Sequence, residues 1–318
     1  MKARIKHFGF SIARRYANNP ILVPQGSKWE ARAVFNPTAW TDGKRVYLLY
    51  RAEGPSGFPD REFCSRIGLA VSEDGINFIR NEYPVLQPTE PYEIPGGCED
   101  PRLVRIGDVF FLTYTAYDGK TARLAMAKSA DLMHWEKCGL LLPDHQWESF
   151  FPHEKFCSLF PRGWSKSGAI LSERVNGLYW MFFGDTHIFA ATSNNLQEWD
   201  VIAKPVISPR PGYFDSRLVE PGPPPVLLSD GIWLGYNSAD NDLRYSFGQC
   251  LIDSKNPQSV IYRSDSPILE PSTIDEIDGQ VPSVVFGEGL VLFKGEWFLY
   301  YGMADSKIGV AFLNRFST

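Results

Sequence analysis

Two adjacent carboxylates precede a segment that is typical of a β-strand. Glu99 and Asp100 follow two glycines, and Pro101 and Arg102 come directly after them. The aromatic and branched residues at positions 109–114 then predict a strand. A carboxylate beside a second carboxylate and near a guanidinium has the neighbours that shift a pKa, so Asp100 is a candidate for acid–base chemistry. An ion pair between Asp100 and Arg102 that only caps a turn is the structural alternative.

Length and composition bound the fold and exclude several classes of function. The 318 residues include 14% aromatic residues, 24 prolines and 27 glycines, which suits short strands and many turns. The net charge is −5 with lysine and arginine scattered, so no nucleic acid partner is expected. Neither a membrane-spanning segment nor a signal peptide is recognisable, so we expect a cytoplasmic protein with no membrane partner. The five cysteines lack CxxC spacing, and neither a metal nor a cofactor is expected.

A unit of three predicted strands occurs five times along the chain. Each copy has an apolar strand, a turn, an aromatic strand and a third strand rich in small residues. The last aromatic residues of the second strands, called anchor aromatics below, are Tyr50, Tyr114, Phe183, Tyr236 and Tyr301. Multi-strand repeats that need neighbours to bury their faces are typical of propellers. We therefore predict an all-β fold, a five-bladed β-propeller in a single domain over residues 1–318, with blade cores at about 35–78, 99–137, 166–200, 222–264 and 284–313.

The first strand of each propeller blade lines the central channel, so polar residues at the strand entries should meet at one mouth. Asn36 and Asp100 both lie 14 residues before the anchor aromatic of their repeat. Lys166, Glu220 and Glu288 lie 17, 16 and 13 residues before theirs. Several carboxylates around one opening are typical of glycoside hydrolysis, in which one carboxylic acid protonates the leaving oxygen and a second carboxylate acts as base or nucleophile.

An ordered set of short motifs resembles glycoside hydrolase family 130. The motifs extend from about Asn19 to Phe312, and they are Asn19-Pro20-Ile21-Leu22-Val23-Pro24, Phe35-Asn36-Pro37, Tyr50-Arg51-Ala52-Glu53, Glu99-Asp100-Pro101-Arg102, Gly222-Pro223-Pro224-Pro225 and Tyr301-Gly302-Met303-Ala304-Asp305. The resemblance implies a five-bladed propeller that acts with inversion on β-mannosides, in a family of phosphorylases and hydrolases.

The resemblance also implies roles for individual residues. Asp100 matches the general acid, which in the phosphorylases is considered to act through a sugar hydroxyl. The positions that match residues holding the mannosyl unit are Asn36, Arg51, Lys166 and Asp305. Further candidates for substrate binding are Arg66, Glu99, Asp185 and Asn237.

The chain departs from the phosphorylase pattern at three positions. Glu220 and Glu288 lie where the phosphorylases resemble Gly-Ala-Gly-Pro-Pro-Pro and Phe-Pro-Cys-Gly, and Asn237 replaces a histidine. Two added carboxylates oppose the binding of a phosphate dianion and suit the deprotonation of water. The hydrolytic members of the family, which resemble β-1,2-mannosidases, carry glutamates at positions similar to these two.

The sequence therefore favours an inverting glycoside hydrolase that cleaves β-mannosides, with β-1,2-linked manno-oligosaccharides as the expected small-molecule substrate. Asp100 is expected to be the acid, and Glu220 and Glu288 are expected to position and activate water. One of the two glutamates could instead only orient the other or a sugar hydroxyl. The alternative function is a β-mannoside phosphorylase of the same family that uses inorganic phosphate and releases mannose 1-phosphate. A non-catalytic carbohydrate-binding propeller is the third hypothesis.

Overall fold

A computed structural model of the chain describes residues 8–26, 28–142 and 164–316. Within these ranges the protein is nearly all β, as predicted, and its one short helix is α1 (Ile274–Ile277). The strands are β1 (Arg14–Arg15), β2 (Ala33–Thr41), β3 (Val46–Phe58), β4 (Arg61–Ser72), β5 (Ile79–Arg80), β6 (Gly97–Ile106), β7 (Val109–Tyr117), β8 (Ala122–Ser129), β9 (Glu136–Leu140), β10 (Ala169–Ile170), β11 (Tyr179–Phe183), β12 (Ile188–Ser193), β13 (Asp200–Ile207), β14 (Leu218–Pro221), β15 (Val226–Leu228), β16 (Gly231–Ala239), β17 (Tyr245–Ile252), β18 (Val260–Arg263), β19 (Val285–Phe293), β20 (Glu296–Met303) and β21 (Lys307–Leu313). None of the described residues forms a helix with the length and apolarity needed to cross a membrane.

The described strands form four sheets. The first two repeats share the order β2-β3-β4-β6-β7-β8-β9, with β5 on β4, and a single parallel pair, Ser65 with Gly97, joins β4 to β6. The third repeat is β10-β11-β12-β13, and the fourth is β14-β16-β17-β18 with β15 also on β16. The last sheet has the order β1-β21-β20-β19. Because β1 precedes all other strands and β21 follows them, this sheet joins the two ends of the described chain.

The apolar core consists of five clusters, and each cluster lies between two repeats. Examples from the two repeats that meet in each cluster are Leu48 with Tyr300, Leu49 with Leu112, Met126 with Met181, Phe182 with Leu234, and Trp233 with Leu299. Every repeat therefore packs on two neighbours, and the first repeat packs on the fifth. This cyclic packing supports the ring of repeats that the sequence predicts. The five-bladed propeller itself and the single domain over residues 1–318 remain predictions.

Four of the five anchor aromatics donate a hydroxyl to a carboxylate that is buried between strands. Each carboxylate also pairs with a cation, so its charge is compensated away from water. The sets are Tyr50–Glu30–Arg80, Tyr114–Glu93–Lys137, Tyr236–Asp215–Arg263 and Tyr301–Glu276–Arg15. The third repeat has Phe183 at this point, which has no hydroxyl. Four of the repeats therefore share one polar network at an equivalent point.

Two strands differ from the predicted units. The fourth repeat was expected to begin with one strand from residue 222, but the first strand is divided into β14 and β15 on either side of Gly222-Pro223-Pro224-Pro225. Successive prolines have no N–H to donate to a neighbouring strand, which explains the interruption. In the first repeat, β3 extends to Phe58 and β4 begins at Arg61. The hairpin that they form is therefore longer than the predicted unit.

Candidate active site

Bulges at equivalent points of three first strands turn polar side chains out of the regular pairing. The register shifts lie between Phe35 and Pro37, between Glu99 and Arg102, and between Gly287 and Gly289. Asn36 and Asp100 at these points have positive φ angles of 47° and 48°. A bulge re-aims a side chain relative to the alternating faces of a strand. Equivalent bulges in different repeats therefore bring side chains that are distant in sequence towards one place.

Asp100 lies at the centre of this place and is almost completely buried, with 3% of its surface exposed. Its Oδ1 accepts hydrogen bonds from the Asn36 amide at 2.9 Å and from the Arg51 guanidinium at 3.2 Å. The Lys166 ammonium lies 4.0 Å from its Oδ2. Burial pushes the pKa of Asp100 upwards, but Arg51, Lys166 and the Asn36 amide together outweigh burial and lower this pKa to about 2. Asp100 is therefore ionised at neutral pH.

Arg51 is shared among three carboxylates. Its Nη2 pairs with Glu53 at 2.8 Å and with Glu99 at 3.0 Å, in addition to the contact of its Nη1 with Asp100. Its Nε donates to the Ser65 hydroxyl at 3.0 Å. The sequence analysis missed Glu53, although the motif at residues 50–53 contains the signal. Residues two apart on a strand share a face, so Glu53 must lie beside Arg51.

Glu220 and Lys166 form the other side of the site. The Ser167 hydroxyl donates a hydrogen bond to Glu220, and the charges of Glu220 and Asp100 both raise the pKa of Lys166. Burial raises the pKa of Glu220 against the opposing effect of Lys166. Burial likewise raises the pKa of Asp185 to about 6, and the buried Oδ2 of Asp185 has no hydrogen-bond partner among the described residues. Glu220 and Asp185 are thus both poised to bind a proton.

Five of these groups, Asn36, Arg51, Asp100, Lys166 and Glu220, line a cavity of about 170 Å³. Its lining consists of Asn36, Arg51, Asp100, Lys166, Glu220, Tyr245, Val281, Val284, Phe286 and Asp305. Its volume suits one hexose ring, and its lining combines charged and polar groups with the aromatic side chains of Tyr245 and Phe286, which suits the polar edge and apolar face of a sugar. A groove of about 860 Å³ lies elsewhere, along Leu69, Phe78 and Met133, but no buried charges converge there. The smaller cavity therefore has the chemistry of an active site.

Five predicted site residues do not line this cavity, namely Glu99, Asp185, Glu288, Asn237 and Arg66. Glu288 is 0% exposed and its Oε1 pairs with Arg102 at 2.8 Å. Arg102 also donates to the backbone carbonyls of Pro221 and Gly222, so the Asp100–Arg102 side-chain pair considered above is not formed. Asn237 is buried and bridges to the backbone of Gly287 at 2.7 and 3.1 Å. The guanidinium of Arg66 donates to the carbonyls of Pro55 and Ser56. Asn237 and Arg66 thus hold the strands near the cavity.

The pKa of Asp305 provides a test of the electrostatics of the cavity. Burial, opposed by Arg51 and reinforced by Asp100 and Glu53, raises the pKa of Asp305 to about 7. Between pH 4 and 7 the unfolded chain has lost this proton while the folded chain still binds it, so rising pH destabilises the folded state. Asp305→Asn should therefore stabilise the protein at pH 8 by about 1–3 kcal/mol and hardly at all at pH 4. Asparagine also tolerates the φ of 50° at this position.

Denaturant unfolding at both pH values measures this difference. Asp108→Asn is the control, because the side chain of Asp108 is 100% exposed. A stability gain for Asp305→Asn that is equal at pH 4 and pH 8 would contradict the proposed protonation of Asp305.

An all-β chain with buried carboxylates and cations around a sugar-sized cavity belongs to the class of carbohydrate-active enzymes. The sequence model of glycoside hydrolase family 130, described as beta-1,4-mannooligosaccharide phosphorylase, matches residues 10–315. The chain belongs to this family, as its motifs indicated.

Known relatives cover nearly the whole chain. The 1,2-beta-oligomannan phosphorylase of Thermoanaerobacter sp. (strain X514) is 36% identical over 307 residues, which are 94% of this chain and 96% of that protein. The beta-1,2-mannobiose phosphorylase of the same organism is 36% identical over 312 residues, which are 95% and 97% of the two chains. These names support phosphorolysis, the alternative considered above, better than hydrolysis.

A solved structure carries a different description. It superposes with a TM-score of 0.84 at 35% identity, covers 98% of this chain and 95% of its own, and is described by the statement that the family of mannoside phosphorylases contains glycoside hydrolases that target beta-1,2 mannosidic linkages in Candida mannan. Both activities are therefore found among relatives at similar identity.

Proposed function

We propose that the protein removes single mannosyl units from the end of β-1,2-linked manno-oligosaccharides, with inversion and with water as the attacking group. The observation that carries this proposal is the cavity for one sugar ring that Asp100 and Glu220 line together. The names of the relatives support the β-1,2-mannoside as substrate. Asp100 serves the leaving oxygen, and Glu220 serves the water.

In this reaction one bond forms, one bond breaks and two protons are transferred. The oxygen of water bonds to the anomeric carbon, and the bond from that carbon to the glycosidic oxygen breaks. Glu220 takes the proton of the water, and the leaving oxygen receives a proton through Asp100. Because the pKa of Asp100 is low, that proton has to be supplied when the substrate binds. Asp305 lines the same cavity and its pKa is raised to about 7, so it can supply this proton.

The charge of the cavity supports water rather than phosphate. Among the described residues that line the cavity, the carboxylates are Asp100, Glu220 and Asp305, and the cations are Arg51 and Lys166. Arg51 is already bound by three carboxylates, and Lys166 lies 4.0 Å from Asp100 and interacts electrostatically with Glu220. A phosphate dianion here would be close to the Asp100 and Glu220 carboxylates, whereas water is neutral.

Phosphorolysis is the second candidate function. It is favoured by the two Thermoanaerobacter relatives, both named phosphorylases and both 36% identical to this chain. In that reaction the oxygen of phosphate takes the place of water and the product is mannose 1-phosphate. Asp100 would keep its role, and Glu220 would have no proton to remove.

Product analysis with β-1,2-mannobiose separates the two functions. We expect the same turnover with and without millimolar phosphate, free mannose as the product, and α-mannose as the first anomer seen by proton NMR. Sulfate at equal ionic strength is the control for screening of the charged site. Release of mannose 1-phosphate that depends on phosphate would establish the second candidate instead. First formation of β-mannose would refute inversion.

A further inference from the structure

The hairpin formed by β3 and β4 extends further than any other described hairpin. These strands have 13 and 12 residues, whereas no other described strand exceeds 10. Arg51 lies at the level of the cavity, and the residues that follow it on β3 continue beyond that level. On β4 the corresponding residues precede Ser65. The outer part of this hairpin, called the wall below, thus extends past the cavity on the side of Arg51.

One face of this wall is continuous with the cavity. Side chains alternate along a strand, so Arg51 and Glu53 share a face of β3. The pairing of Glu53 with Ser65 places Phe63 and Arg61 on the same face of β4, because they lie two and four residues from Ser65. The face of the hairpin that carries Arg51 therefore continues outwards from the cavity as a surface with aromatic and arginine side chains.

We call the surface formed by Arg32, Arg61, Phe63 and Tyr117 the ledge. The Arg32 guanidinium lies 4.2 Å from the centre of the Phe63 ring, and the Arg61 guanidinium lies 5.0 Å from the centre of the Tyr117 ring. All four side chains are partly exposed. Glu53 connects the ledge to the cavity, since it pairs with Arg32 at 3.4 Å and with Arg51 at 2.8 Å.

The hairpin is held in shape by its own side chains. The Ser56 hydroxyl accepts a hydrogen bond from the Phe58 N–H at 2.9 Å and donates to the Arg61 carbonyl. Arg61 Nε donates to the Phe63 carbonyl at 2.9 Å, and Arg66 binds the carbonyls of Pro55 and Ser56. A surface that is fixed before binding loses little freedom when a ligand arrives, which favours affinity.

We propose that the ledge binds the leaving-group end of the substrate, at the second sugar beyond the bond that is cleaved. This inference rests on the proposed function. The cavity holds one ring, so the rest of an oligosaccharide must lie outside it. The planar guanidinium of Arg61 can donate two hydrogen bonds to neighbouring oxygens of one sugar, and the edge of Tyr117 adds contact area. The ledge therefore favours manno-oligosaccharides of three or more units over the disaccharide.

Arg61→Ala tests the ledge when kcat/KM is measured for β-1,2-mannobiose and β-1,2-mannotriose. We expect kcat/KM for the trisaccharide to fall about tenfold or more and that for the disaccharide to change less than about twofold. Arg61→Lys keeps the charge but loses the planar fork, so it should recover only part of the loss. Thermal unfolding of each variant verifies that the hairpin change leaves the fold intact.

Arg105→Ala is the matched control. Arg105 lies 5.5 Å from the centre of the Phe110 ring, a pair of the same kind, about 16 Å along β6 from Asp100. Its loss should leave both substrates unaffected. Equal losses on both substrates in Arg61→Ala, or no loss on either, would overturn the ledge while leaving the proposed function in place. Failure of the unmodified protein to cleave either mannoside would refute both.

Discussion

Asp100→Asn should lower kcat on β-1,2-mannobiose by about 10²–10⁴-fold, which is the usual value of positioned acid–base catalysis. The amide is nearly isosteric with the carboxylate, but it can neither take up nor deliver a proton. Asn36 and Arg51 would retain an oxygen to which they can donate, so the cavity should keep its shape. Steady-state kinetics and denaturant unfolding of the purified variant measure the two effects.

Asp74→Asn provides the control for Asp100→Asn. Asp74 accepts two backbone N–H groups in the turn after β4, and the third repeat has Asn195 at the equivalent turn. The same chemical change should therefore be tolerated there without loss of kcat. Asp100→Asn that keeps more than about a tenth of the wild-type kcat would remove Asp100 from proton transfer.

The position of Asp100 shows why counting residues within the repeats can locate site residues. Its offset from Tyr114 equals the offset of Asn36 from Tyr50, and the structure joins these two residues by a hydrogen bond. The offset works because both first strands carry a bulge at the same point. The convergence of Asn36, Asp100, Lys166 and Glu220 could therefore be predicted from repeat positions.

Counting residues back from the anchor aromatic was less informative for Glu288. A bulge also lies in its strand, but the carboxylate is fully buried against Arg102 and does not reach the cavity. Counting from an anchor does not show which charged group a buried side chain meets, and Glu288 meets Arg102. The partners of Arg102 come from two other repeats, so no local pattern could have identified them.

The pairing of the first described strand with the last one was also not predictable from the sequence. The strand β1 has two residues, Arg14 and Arg15, which show no β-strand periodicity, yet they pair with Phe312 and Ala311. Such a strand exists because β21 offers an open edge, and edges of this kind are usually covered. The fold of the repeats was therefore predictable from local pattern, whereas the joining of the two ends depended on tertiary contacts.

Glu220→Ala should lower hydrolysis of β-1,2-mannobiose by about 10²-fold or more, because no other lining carboxylate is placed with Ser167 to receive the proton of water. Ser167→Ala is the matched control, since it removes the hydrogen bond to Glu220 and leaves the carboxylate. Its loss should be less than about tenfold.

Addition of azide to Glu220→Ala should restore part of the rate and yield α-mannosyl azide, because a small anion can occupy the vacated space and attack without a base. The same addition should not restore Asp100→Asn, since an anion cannot supply a proton. It should not restore Glu288→Ala either, because the Glu288 carboxylate is 0% exposed and lies outside the cavity lining. Absence of azide product from Glu220→Ala would mean that Glu220 only orients the sugar, whereas rescue of Glu288→Ala would place the base at Glu288 instead.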